Sequence, residues 1–303
     1  MNIRSDEVKQ LVILSGKGGT GKTSISAGLI HLASESTKCV FVDADVDAAN
    51  LALVTEASPL ETNDFWSSQL ASINSELCNL CGICYDICRF NAIRPSVDKE
   101  AAYKIIDFLC DGCEACVNQC PEGAIQMLQQ QDGEWYHSVT PYGHMVHAEL
   151  FPGAENTGKL VTLVKQNARL FAEDHHLPLL IIDGPPGIGC PVISASAGAN
   201  LALLVAEPGV SGQHDLERII QTLQHFEVPM LVCINKADIY RQGTEKIKEL
   251  ARDHDCRIAG EIPFDTAIPH AMVNAQPVTR MSPGSPASKA IENIWEQIMK
   301  ILF

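Results

Sequence analysis

Five short runs of uninterrupted apolar residues punctuate the chain, at 11–14, 40–42, 179–182, 201–205 and 230–234. Each is too short for a buried helix and is rich in Val, Ile and Leu. That is the pattern of strands covered on both faces of a parallel sheet. Between them lie stretches with helical periodicity, such as 215–226 and 244–253. Strand and helix in alternation predict a doubly wound α/β fold with a mostly parallel sheet. The alternation stops after Leu53 and resumes near Leu160. Residues 64–150 are therefore read as a small inserted α+β domain, leaving 1–63 and 151–303 as one discontinuous α/β domain. At the far end, residues 291–303 repeat apolar side chains (Ile291, Ile294, Trp295, Ile298, Ile301, Leu302) on one side of a helix. Only Lys300 is basic there, so packing on the core is expected over adsorption to a membrane.

Composition sharpens the picture. The 303 residues carry 37 acidic and 22 basic side chains, a net charge of −15. Such a balance lacks the basic face needed to displace counterions from nucleic acid or to dock on anionic lipid. Twelve cysteines are present, eight of them between Cys78 and Cys120. The opening residues lack an apolar leader-type run, so a cytoplasmic location is expected, where structural disulfides are rare. Metal ligation is the default for the cysteines. The same stretch, 64–150, holds twelve acidic and four basic residues, more than half of the net charge.

The cysteines follow a rule. Cys78, Cys81, Cys84 and Cys88 are spaced x2, x2, x3, and so are Cys110, Cys113, Cys116 and Cys120. Zinc motifs use C-x2-C pairs but rarely add a third cysteine at x2 and a fourth at x3. Thiolates suit iron, and in such paired runs the fourth cysteine ligates the other cluster. The expected sets for two [4Fe–4S] clusters are Cys78, Cys81, Cys84 with Cys120, and Cys88 with Cys110, Cys113, Cys116. The sequence Cys88-Arg-Phe-Asn-Ala-Ile echoes Cys120-Pro-Glu-Gly-Ala-Ile, pointing to two copies of one supersecondary unit. The runs resemble those of two-cluster bacterial ferredoxins, which implies one-electron transfer. Arg89 departs from that pattern, which places proline after the fourth cysteine. Cys39, Cys233 and Cys256 are expected as small buried side chains, and Cys190 as a packed cysteine in preference to a ligand. His137, His144 and His147 are taken as ordinary polar positions. Ahead of the next helix, Asn156 and Thr157 are expected at its N-cap.

Residues 16–23 read GKGGTGKT, after one predicted strand and before a helix. Glycines there let backbone N–H groups wrap a phosphate, so Gly16, Gly18, Gly19, Thr20 and Gly21 are candidate phosphate contacts. Lys22 would bridge the terminal phosphates and Thr23 would offer its hydroxyl to Mg²⁺. Strand ends supply further candidates: Asp43 and Asp45 after 40–42, Asp183 after 179–182, and Asn235 after 230–234.

A second loop lysine, Lys17, makes the motif resemble the deviant Walker A of MinD/ParA-type and Mrp-type P-loop ATPases (SIMIBI class). The resemblance implies ATP and Mg²⁺ as ligands and an ATP-dependent homodimer in which Lys17 reaches the partner's nucleotide. It also implies Asp43 near Mg²⁺, Asp45 orienting the attacking water, Asp183 in the Mg²⁺ shell, and Asn235 and Pro263 beside adenine. The C-terminal C-x2-C of Mrp-type cluster carriers is missing. Two functions are consistent with the whole chain: an ATPase whose dimer switch governs electron transfer through two clusters, or an ATP-dependent carrier or maturation factor for metalloclusters. Either would act on a redox or maturation partner protein.

Overall fold

The computed structural model describes residues 7–96, 103–154 and 157–303. Two compact units emerge. One comprises Met1–Asn63, Trp135–Glu149 and Thr157–Phe303, and the other Asp64–Glu134 with Leu150–Asn156. The inserted stretch was expected to run to residue 150, but 135–149 belong with the α/β unit. The reason is strand pairing, described below.

In chain order the first unit starts with β1 (Lys9–Ser15), α1 (Lys22–Ser36), β2 (Cys39–Asp43) and the short α2 (Leu51–Val54). Strand β3 (Ser58–Ile73) leads out of it. The second unit contains α3 (Ile83–Ile87), β4 (Ile93–Arg94), β5 (Lys104–Ile105), a 3-10 turn at Asp107–Leu109 and α4 (Ala115–Gln119). Strand β6 (Ile125–Thr140) returns to the first unit and turns at residues 141–142 into β7 (Gly143–Leu150). Then follow α5 (Thr157–Asp174), β8 (Leu179–Pro186), α6 (Cys190–Ser196), β9 (Leu201–Ala206), α7 (Val210–His225), β10 (Met230–Asn235), α8 (Arg241–Asp253), β11 (Arg257–Ile262), α9 (Ala267–Val273), α10 (Val278–Met281) and α11 (Pro286–Leu302). The expected N-cap residue Asn156 lies outside the described residues, and α5 starts at Thr157.

The large sheet has the order β11-β10-β9-β1-β8-β2-β7-β6-β3. Every pair from β11 to β7 is parallel. All five apolar runs are strands in this block, and each is buried along nearly its whole length. β7 pairs with β2 residue for residue from Val40↔His144 to Asp43↔His147. This parallel pairing binds 143–149 to the α/β unit, although His144, His147 and Glu149 interrupt β7, which gave no buried-strand signal.

Alternate residues of the central strands point to opposite faces of the sheet. Leu11, Ile13, Phe41, Leu179, Ile181, Leu203 and Leu231 pack with Ile25, Leu29, Ile291, Ile294 and Ile298 of α1 and α11. The intervening Val12, Leu14, Val42, Leu180 and Leu204 are fully buried too. Helix α11 buries Ile291, Ile294, Trp295, Ile298 and Leu302 as expected, but Ile301 is 42% exposed and stands off that face. Its start is fixed by Ser285, whose side chain accepts the Ser288 N–H, and by Pro286 in the first turn. No described helix is long and apolar enough to cross a membrane.

The second unit repeats itself. Helix α4 is α3 displaced by 32 positions (Ile83–Ile87 against Ala115–Gln119), and the two helices pack together. Left-handed residues recur at the same places: Leu80 and Gly112, Gly82 and Glu114, Asn91 and Gly123. Leu80 and Glu114 adopt φ of 62° without being glycine, a strained choice held by the turn around them. Gly112 has no such latitude, because a Cβ there would meet the Gln69 carbonyl oxygen at 2.6 Å. β4 pairs antiparallel with β5, and β3 neighbours β6. The small core holds Ala71, Cys84, Ile93, Cys116 and Ile125, matched in pairs across the repeat as Cys84/Cys116 and Ile93/Ile125.

Candidate functional site

In a parallel sheet the strands' carboxyl ends share one edge, and ligands bind in the crevice beyond it. Strands β1, β2, β8, β9 and β10 deliver Ser15, Asp43, Asp183, Glu207 and Asn235 to that edge, with Asp43 directly opposite Asp183 in register. The loop after β1 turns through Gly19 (φ 79°) and Gly21 (φ 87°) into α1, which starts at Lys22. Gly16 is required sterically, since a Cβ there would lie 2.5 Å from the Asp215 Cβ. One cleft is lined by Gly18, Gly19, Thr20, Gly21, Lys22 and Thr23 together with Asp45, Asp47, Pro185 and Pro186. The structure thus gathers the glycine loop, the segment after β2 and the segment after β8 around a single opening.

Its floor is electrostatic. The Lys22 Nζ donates to Asp183 Oδ1 at 2.9 Å and lies 3.7 Å from Asp45 Oδ2. Ser26, one helical turn after Lys22, donates its hydroxyl to the same Asp183 oxygen at 2.7 Å. The other oxygen, Asp183 Oδ2, is buried with no hydrogen-bond partner. Burial works against the Lys22 charge, but Asp183, Asp45 and Asp43 together outweigh it and raise the lysine's pKa. Asp43 is fully buried and accepts the N–H groups of Asp45 (3.1 Å) and Leu51 (3.0 Å), fastening the segment after β2. Burial first, and the Asp183 carboxylate second, push Asp43 up to about 8. Burial likewise raises Asp45, against the pull of Lys22.

Two sequence candidates make contacts that residue type and spacing did not announce. Asn235, expected beside the base, is 2% exposed. Its amide donates to the Thr20 carbonyl at 2.7 Å, and its side-chain oxygen accepts the Lys236 N–H, so it braces the phosphate loop. Lys17 is absent from the cleft lining and instead donates to Ser211 Oγ of its own chain at 2.9 Å. Pro263 lines a separate polar pocket with Asp238, Arg241, Thr244 and Glu261. Ser26, Glu207 and Ser211 were not among the candidates. Ser26 shares the helix face of Lys22 at i+4, and Glu207 follows a predicted strand, so both positions carried a signal.

The histidines behave as polar packing groups. His137 Nε2 and His144 Nδ1 share a hydrogen bond at 3.1 Å, and His147 bonds Ser138 Oγ at 2.8 Å. Cys39, Cys233 and Cys256 are buried as expected. Cys190 is not: it is exposed at the first position of α6.

In the second unit the cysteines fall into matched surroundings. Cys84 and Cys116 are buried, Cys81 and Cys113 exposed, and Cys78, Cys88, Cys110 and Cys120 intermediate. Burial raises the thiol pKa of Cys84, with Cys78, Cys116 and Cys81 close enough to add to it; Cys116 is raised the same way, with Cys110 and Cys113. The Ala92 N–H donates to Cys88 Sγ and the Ala124 N–H to Cys120 Sγ, both at 3.3 Å. Cys88, Cys110, Cys113 and Cys116 all line one cavity, walled by Ala71, Ile93, Ile105 and Met127. Among the described residues no three His, Cys, Asp or Glu side chains converge on a single metal ion. A four-iron cube holds its thiolates farther apart than one ion does.

A glycine loop running from a buried parallel strand into a helix, a lysine at the helix start and strand-end carboxylates facing it define a P-loop nucleotide-binding fold. The chain belongs to the CobQ/CobB/MinD/ParA nucleotide binding domain family (CbiA), whose profile matches residues 11–278. It is 32% identical over 295 residues to an uncharacterized protein of Methanocaldococcus jannaschii, covering 97% of this chain and 98% of that one. An iron-sulfur cluster carrier protein of Pyrococcus horikoshii is 22% identical over 311 residues, covering 97% of this chain and 86% of the other. Among solved structures, the septum site-determining protein MinD of Pyrococcus horikoshii, complexed with Mg-ADP, superposes with a TM-score of 0.60 at 19% identity over 97% of each chain.

Proposed function

We propose that the protein binds and hydrolyses ATP with Mg²⁺ and carries two [4Fe–4S] clusters in its second unit, so that a nucleotide-dependent dimer switch governs electron transfer. The observation that carries the iron–sulfur part is the 32-position repeat, with Cys88 from one run lining the same cavity as Cys110, Cys113 and Cys116 from the other. The crossed ligation of paired ferredoxin runs would require that grouping, which is why it supports the reading. The donor set fits: four thiols and an apolar wall on one side, two N–H···S bonds on the equivalent fourth cysteines. Cys78, Cys81, Cys84 and Cys120 would hold the second cluster. Bound there, the clusters supply one-electron transfer.

For the nucleotide, Gly16–Thr23 present backbone N–H groups and the start of α1 to the phosphates. Lys22 must leave Asp183 Oδ1 to reach them. The Thr23 hydroxyl, Asp183 and Asp43 would face Mg²⁺, and the unpartnered Asp183 Oδ2 is an acceptor that suits a cation shell. Asp45, which lines the cleft beside Lys22, would orient the attacking water, and Lys17 would reach the partner's nucleotide. The residues after β10 and β11, with Pro263, would meet the base.

A second function, ATP-dependent carriage of clusters to client proteins, is favoured by the likeness to the iron-sulfur cluster carrier of Pyrococcus horikoshii. Buried Cys84 and Cys116 inside a repeated core argue for permanent ligation. Anaerobic purification, iron determination and EPR after dithionite, with and without Mg-ATP, test both. Eight irons per chain and a reduced-cluster signal altered by Mg-ATP are expected. Iron-free protein would sink the cluster assignment, and loss of iron to an apo-acceptor in the presence of ATP would favour the carrier.

A further inference from the structure

The turn between β9 and α7 is clamped from two sides. A Cβ at Gly212 would lie 2.3 Å from the Glu207 carbonyl oxygen, and one at Gly243 would lie 2.0 Å from that of Pro208. Only glycine lets α7 and α8 close on this turn, so the backbone of Glu207 is seated rigidly at the site edge. Its carboxylate meets two ammonium groups at once. Oε2 lies 3.8 Å from Lys17 Nζ, and Oε1 accepts from Lys236 Nζ. Ser211, in the first turn of α7, takes the remaining Lys17 contact at 2.9 Å. Lys17 and Lys236 belong to the phosphate loop and to the end of β10, and those two segments are already joined through Asn235 and Thr20.

We infer that Glu207 is a positioning residue: a latch that holds Lys17 on its own chain, out of the phosphate cleft, until nucleotide draws it away. The latch deepens the ATP-dependent dimer proposed above and rests on it. A nucleoside triphosphate brings several negative charges to the loop that carries Lys17, and these compete with one carboxylate and one hydroxyl. The Lys17 side chain is 35% exposed, so its pair with Glu207 is solvent-screened and weak. Pairs of that kind bias an equilibrium by roughly two- to five-fold, small enough for phosphate to overcome. Holding Lys17 in this way suppresses self-association at low nucleotide.

Sedimentation velocity of the full-length protein over a Mg-ATP titration tests this, with thermal midpoints as a control for folding. Glu207→Gln should lower the ATP concentration at half-maximal dimer by roughly two- to five-fold. Ser211→Ala should shift it the same way by less, and Glu207→Asp, which keeps the charge, should stay near wild type. Structural damage would move the half-point up, whereas release of Lys17 moves it down. A wild-type dimer with an unmoved or raised half-point in Glu207→Gln overturns the latch alone. A wild type that stays monomeric at saturating Mg-ATP overturns the dimer, and the latch with it.

Discussion

The two units hold their chemistry by opposite means. In the α/β unit the charged residues Lys22, Asp43 and Asp183 rest on a deep apolar core, with strands β1, β2, β8 and β9 buried almost end to end. Removing a ligand from such a site leaves the scaffold standing. In the second unit the buried cluster among the described residues is Ala71, Cys84, Ile93, Cys116 and Ile125, two of them cysteines. Its regular elements are one turn or two residues long, apart from the ends of β3 and β6. A core that small needs a staple, and the binding energy of the proposed clusters would become folding energy. The nucleotide site is therefore a feature of a finished fold, while the cysteine unit and its ligand would fold together.

The strongest way to break that contrast is to replace Cys84 and Cys116 with alanine, or to strip whatever iron the purified protein carries. The second unit should lose its protease resistance and the first should keep its own, measured by limited proteolysis with mass spectrometry. Equal survival of both units would show that the cysteine core stands without metal.

Next in size is Lys22→Ala. It strands Asp183 and Asp43 in full burial, which is worth about 3–5 kcal/mol of stability. Nucleotide binding should vanish as well. Burial holds Asp43 up to about 8, so acidification neutralises it, and the loss should be larger at pH 8 than at pH 6 in thermal melts. A variant as stable as wild type at both would show that the site is less rigid than its burial suggests.

His147 gives a titratable probe of the same unit. Burial lowers its pKa to about 4, against about 6.5 in the unfolded chain. A depressed histidine favours the neutral form, so its contribution is complete above pH 6.5 and is lost as pH falls from there toward 4. The difference is about 3 kcal/mol across that window. His147→Gln, which can keep a hydrogen bond to Ser138, should flatten the pH dependence of unfolding measured in urea.

The smallest expected effect separates two roles for Asn235. If it braces the phosphate loop, Asn235→Ala should cost roughly 1–3 kcal/mol by leaving the Thr20 carbonyl buried and unbonded. It should also weaken ATP and GTP binding alike in fluorescence titrations. Loss confined to ATP would return Asn235 to the base.

Much of the fold was legible because the central strands are covered on both faces and so read as continuous apolar runs. β7 was not, since it carries His144, His147 and Glu149 among its eight residues. Its place is set by pairing with β2, which no local pattern encodes. The glycine loop and the strand-end aspartates could be read from type and spacing. That Asp43 and Asp183 lie side by side needed the strand order β1-β8-β2, and that Asn235 faces the loop needed the left-handed turn at Gly21, beside which a Cβ would meet the Asn235 amide at 2.4 Å. Cys190 misled because an isolated cysteine is usually packed, whereas here it opens α6 on an exposed position.

By itself the sequence determined what is local: the strands, the phosphate loop with its two lysines, the paired cysteine runs and their 32-position echo. These depend on residue type within a few positions, where spacing alone sets geometry. Tertiary structure decided which distant groups meet. It took residues 135–149 away from the inserted stretch, set Lys22 on Asp183 from 161 positions away, and turned Lys17 toward Ser211 and Glu207 instead of the cleft. Such contacts follow from strand order and register, which are properties of the whole packed sheet and of no single segment of the chain.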